Sequence, residues 1–148
     1  MKKIDRREHY QEWFSADEMH KESRRWLSQL EFIKDEQQFL DNVVKDYTLD
    51  LLDGNFFNQV KDSFDALLTS KKNTQLLHKK IQLHENQLII MVDDVDQIKM
   101  ESAYLETHKR LAKEMVTHLE KYQVAKSYIF KVISEIMKKK KKQKKLLS

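Results

Sequence analysis

The chain contains no cysteine and no proline, and Gly54 is its single glycine. Without cysteine there is no disulfide, no thiolate nucleophile and no thiolate-bound zinc. With one glycine there is no phosphate-cradling loop and no dinucleotide fingerprint, because both bring backbone against phosphate at several glycines. A β-rich fold of 148 residues would need many Gly, Pro and Asn turns, so long helices with few turns are expected instead. Long apolar runs are missing too. The longest, LIIMV from Leu88 to Val92, falls far short of the roughly 20 residues that span a bilayer. The opening MKKIDRREHYQEWF is basic but lacks the apolar stretch of a signal peptide, so a cytoplasmic location is expected.

What is present is charge and helical periodicity. Charged residues make up 35% of the chain and apolar ones 40%, the balance of amphipathic helices with charged outer faces. The net charge of +4 is unevenly placed. Lys138, Lys139, Lys140, Lys141, Lys142, Lys144 and Lys145 follow one another near the end; setting those seven aside leaves 21 basic against 24 acidic groups, a balance of −3. The expected organisation is a mildly acidic helical domain over 1–137 and a basic tail over 138–148.

Ser15 and Glu18 form a capping box, with Phe14 and Met19 placed as its hydrophobic staple. From there Met19, Ser23, Trp26, Leu30, Ile33, Gln37, Leu40, Val44, Tyr47 and Leu51 recur at alternating steps of four and three, a heptad seam. Gly54 ends this first helix, expected over 17–53, and Asn55 caps the next. The second stripe reads Phe57, Val60, Phe64, Leu67, Lys71, Thr74, Leu77, Ile81, His84, Leu88 and Met91, with a local 3–3 step at Thr74. Asp94 and Gln97 resemble a second capping box. They open a third stripe of Ile98, Glu101, Leu105, His108, Ala112, Met115, Leu119, Tyr122, Lys126, Ile129, Ile133 and Ile136.

The expected fold is all-α: an elongated antiparallel bundle of three long helices with coiled-coil-like seams, plus a short N-terminal helix over 4–13. Thr69 to Gln75 contain no apolar residue; a break there would give a four-helix bundle instead. If the second helix is continuous, Lys71 falls level with Gln37 and near Ala112, a polar layer at mid-bundle. The turn at Asp94 sets the second and third helices so that His84 and His108, both on seams, miss each other by about five residues, or about 7 Å. That separation predicts two independent packing histidines rather than a shared site.

Chemical motifs are sparse. DDVDQ near Asp94 lacks the glycine and the terminal glutamate of a calcium loop, and HENQL has Leu88 where a zinc helix needs its second histidine. No glutamate is followed three residues later by histidine, as a di-iron bundle requires. No catalytic, cofactor-binding or metal-ligating residue is assigned, and no enzyme is expected. The end of the third helix is apolar on several faces, so Val124, Tyr128, Phe130 and Val132 form a candidate self-association surface.

Three functions follow, in order. The first is a non-enzymatic interaction or scaffold protein with a protein partner or a second copy. The second is a nucleic-acid-associated protein gripping phosphates weakly and without sequence preference through the lysine tail, which is expected to fray as a helix. The third is a small-molecule or metal-binding bundle using its core polar residues. Leu146 and Leu147 add little anchoring to a lipid surface.

Overall fold

The computed structural model describes residues 15–47, 57–92 and 97–147. Three helices account for them: α1 (Ala16–Asp46), α2 (Phe57–Val92) and α3 (Gln97–Leu147). They pack against one another as an all-α bundle, with no strand among the described residues. The short N-terminal helix, the Gly54 turn and the Asp94 cap lie outside those residues.

The start of α1 is built as its sequence demands. Ser15 Oγ accepts the backbone N–H of Glu18 at 3.1 Å, and Ser15 O accepts that of Met19 at 3.0 Å. Asp17 and Glu18 place acid in the first turn, where the helix dipole favours it. Ser15→Ala is expected to lower stability by about 1 kcal/mol in chemical denaturation, since one amide loses its acceptor.

Helix α2 runs unbroken through 69–75, which rules out the four-helix alternative. Its buried positions explain why. Along the seam they are Ser63, Leu67, Ser70, Thr74, Leu77, Ile81, His84 and Leu88, with Val60 half-buried and Glu85 buried beside His84. The steps alternate three and four without interruption, so the expected 3–3 discontinuity does not exist. Small hydroxyl residues hold the seam at the places that periodicity alone assigns to Phe64 and Lys71; Phe57 and Phe64 are exposed.

A similar one-residue shift corrects α3. His108, Leu111, Met115, His118, Tyr122, Ala125, Ile129, Val132 and Ile136 are buried at alternating steps, with Ile133 beside them. Ala112, Leu119 and Lys126, assigned to the seam from sequence, are half-buried on its shoulder. In α1 all eight seam positions from Met19 to Val44 are buried as expected, and Tyr47 is half-buried.

The chain forms two compact units. Among the described residues, unit 1 draws on 15–31, 75–92 and 97–116, and unit 2 on 32–47, 57–74 and 117–147. In unit 1, His20 meets Glu85 and Glu31 meets His78, so partner numbers fall on α2 as they rise on α1, the mark of antiparallel neighbours. Met19, Ala16 and Leu88 form an apolar cluster there, flanked by Tyr104 and Leu105. Unit 2 has the larger core: Ile33, Leu40, Val44, Leu67, Tyr122, Ile129, Val132, Ile133 and Ile136. Each fully buried Leu or Ile contributes about 1.5–3 kcal/mol of transfer free energy.

Helix α3 continues through its lysines to Leu147. Lys144 and Lys145 sit in the last turn, where cations complement the dipole, and Lys140 Nζ lies 5.4 Å from the centre of the Tyr47 ring.

Candidate functional site

Unit 1 carries a polar layer at seam positions that would ordinarily be apolar. His84 from α2 and His108 from α3 are both about 1% exposed, and His84 Nε2 lies 3.0 Å from His108 Nδ1. This overturns the expected separation. Lys80 with Glu114, and His84 with His108, show the two helices in a register about five residues different from the one inferred from a turn centred on Asp94. His108 Nε2 is in turn 3.0 Å from Glu22 Oε1 of α1. The Trp26 ring stacks on His108, centroids 4.6 Å apart and planes 22° from parallel, and Tyr104 meets His84 edge-on at 6.5 Å.

Hydrogen-bond logic fixes the protons. With Glu22 ionised, His108 donates from Nε2, accepts at Nδ1 from His84 Nε2–H, and leaves His84 Nδ1 as a bare lone pair. With Glu22 protonated every bond reverses, and His84 Nδ1 carries the proton. In both states that buried atom has no partner among the described residues, and neither has Ser23 Oγ on the facing seam of α1.

Burial lowers the pKa of both histidines to about 4, and for His84 the nearby charge of His108 adds to the effect. Burial raises Glu22, against the pull of Arg25. Glu85, 2.8 Å from His20 Nδ1, is raised by burial against the attraction of His20 and Arg24. Beside the layer lies a groove of about 550 Å³, lined by Glu22 and His108 together with Lys109, Arg110 and Lys113. No group of three or more His, Asp or Glu among the described residues is arranged to hold a metal ion.

Unit 2 has its own polar layer. Gln37 Nε2 donates to Ser70 Oγ at 2.9 Å and to Thr74 Oγ1 at 3.1 Å. Thr74 Oγ1 donates back to the Ser70 carbonyl at 2.9 Å, so the contact at 2.8 Å with His118 must be donated by His118 Nε2–H. His118 is lowered by burial and by nearby Lys121. The polar layer expected around Gln37 exists, but its members differ: Lys71 pairs with Asp41, and His118 takes the place assigned to Ala112. Next to this layer, Glu36 accepts from Tyr122 Oη at 2.6 Å and from Lys126 Nζ at 2.8 Å. Burial tends to raise Glu36, but these two bonds outweigh it and its pKa is lowered; burial and Glu36 together raise Tyr122.

The four residues proposed as a self-association surface separate in the structure. Val132 is buried in the unit 2 core and Tyr128 packs half-buried against it, so the same chain covers both. Val124 and Phe130 are exposed. Lys138, Lys140, Lys141, Lys142, Lys144 and Lys145 are exposed on the last turns of α3, and Lys139 is half-buried. Other large apolar residues stand outside the cores: Phe32 and Phe39 on α1, and Leu76, Leu83 and Ile90 on α2. Tracing only the strongest apolar stripe along each helix passes over these, although their seven-residue spacing is visible in the sequence. It also misses His118, whose spacing from Leu111 and Ala125 marks it as a seam residue.

No family model, no curated protein and no solved structure matches this chain.

Proposed function

We propose that the protein is a non-enzymatic helical interaction protein of the cytoplasm that self-associates through apolar rows on the outside of its helices. The observation that carries this is the row Leu76, Leu83 and Ile90 on α2, each more than half exposed and repeating every seven residues. Scattered exposed apolar residues are ordinary on any surface, but a heptad-spaced row is what a second helix needs in order to dock. Molar mass by light scattering, measured on the full chain from micromolar to millimolar concentration, tests the reading. It should rise toward a multiple of the chain mass, and a constant monomer mass would overturn it.

The lysine run supports a second reading, because α3 keeps it helical to Leu147. Seven charges over eight helical residues amount to one per about 1.7 Å of axis, close to the charge spacing of duplex DNA. Deleting residues 138–148 is expected to abolish retention by duplex DNA at low salt. It should lower stability by no more than about 1 kcal/mol, the order of the Lys140–Tyr47 cation–π contact that it removes. Binding by the intact chain should weaken with a log–log salt slope of about −6. A slope near zero would show that no phosphate grip exists.

A further inference from the structure

Some of the apolar residues outside the two cores fall into ordered rows. On α1, Phe32 and Phe39 are seven residues apart, and Asp35 stands between them, three after the first and four before the second. On α2, Leu76 and Leu83 are spaced identically with Lys79 in the same slot, and Ile90 extends the row by another seven. Residues at i, i+3 and i+7 share one face of a helix, so each row is a narrow apolar strip with a charge at its centre. That charge is negative on α1 and positive on α2. Asp35 and Lys79 are both exposed, and neither has an ion-pair partner among the described residues.

We infer that these strips are the two halves of an interface between copies of this chain. The Phe32–Phe39 strip of α1 in one copy seats against the Leu76–Leu83 strip of α2 in another, with Asp35 and Lys79 paired at the centre. The inference rests on the self-association reading and names the surfaces that would carry it. A second copy is the occupant because one chain holds both strips, with equal spacing and opposite central charge. Like against like is disfavoured: two α2 strips would bring Lys72 and Lys79 of each copy together, and two α1 strips would oppose Asp35 to itself.

Competing strips fit less well. Phe57 and Phe64 have Lys61 between them, but both are less than half exposed and adjoin the seam residues Val60 and Ser63. Phe130 and Met137 have Ser134 in the central slot and so offer Asp35 no charge.

The test is sedimentation velocity on the full chain and on Asp35→Lys and Lys79→Asp, both exposed substitutions whose folding is checked by circular dichroism. Each single reversal should weaken self-association by roughly five- to tenfold, since it replaces an attraction with a repulsion. An equimolar mixture of the two variants should recover wild-type association, because the new lysine on α1 of one then meets the new aspartate on α2 of the other. Recovery on mixing requires a contact between copies. If the wild type associates but the single variants do too, or mixing restores nothing, the assigned strips are wrong while self-association stands. The same holds if Lys61→Asp rather than Lys79→Asp complements Asp35→Lys. A wild type that stays monomeric at every concentration overturns both the inference and the reading beneath it.

Discussion

Between pH 6.5 and about pH 4 the free energy of unfolding should fall steeply, and the buried His84–His108 pair should cause most of the fall. Unfolded, each histidine takes up its proton near the ordinary value of 6.5; folded, each resists until about 4. Across that window the unfolded chain binds more protons, so stability drops as the pH is lowered, by about 1.4 kcal/mol per pH unit for each histidine. Over about 2.5 units the pair together contributes several kcal/mol, and the contribution flattens above about pH 7.5, where the unfolded imidazoles are neutral as well.

Other buried groups modify the slope with known signs. His118, also lowered, adds to the loss. Glu22 and Glu85, raised by burial, bind protons in the folded state first and so oppose it in the range just above 4.5. Glu36, lowered, contributes stability above 4.5 that is lost below it. Urea denaturation at a series of pH values checks the claim, with the His84→Leu, His108→Leu double variant as comparison. That variant should lose most of the slope between 6.5 and 4.5 and be no less stable than the parent at pH 5. Retention of the full slope by the variant would rule the pair out as its source.

Val132→Asp should destabilise the protein by several kcal/mol, while Phe130→Asp, two residues away, should leave stability nearly unchanged. Val132 is 4% exposed among Ile129, Ile133 and Ile136, so a carboxylate there must either remain charged without a partner or take up a proton. Phe130 is 44% exposed and a charge at its place stays hydrated. Denaturation midpoints at neutral pH read the difference directly. Equal losses at the two positions would mean that Phe130 too is enclosed in solution, as it would be if copies pack over Val124 and Phe130.

Much of the fold was legible in the residues themselves. Helix α1 was readable nearly position by position, because its longest apolar stripe keeps one heptad frame and Ser15 with Glu18 marks where it starts. The helical class followed from the near absence of Gly and Pro. In α2 and α3 two frames compete, and hydrophobicity alone favours the wrong residue in each. Phe64 is more apolar than Ser63, yet Ser63 is buried; Leu119 is more apolar than His118, yet His118 is buried.

What decided those choices is a property of neighbouring helices rather than of any one of them. Gln37 supplies donors that Ser70 and Thr74 accept, and Thr74 satisfies His118, so hydroxyls and an imidazole can occupy a seam at little cost. Local sequence determined that the helices form and roughly where they run, since propensity, capping and periodicity act within a few turns. Only the tertiary structure decided the rotation of α2 and α3 and the register that brings His84 to His108. Both depend on how three surfaces interlock, and turning a helix by one residue, about 100°, exchanges its buried face while leaving its sequence pattern almost as good.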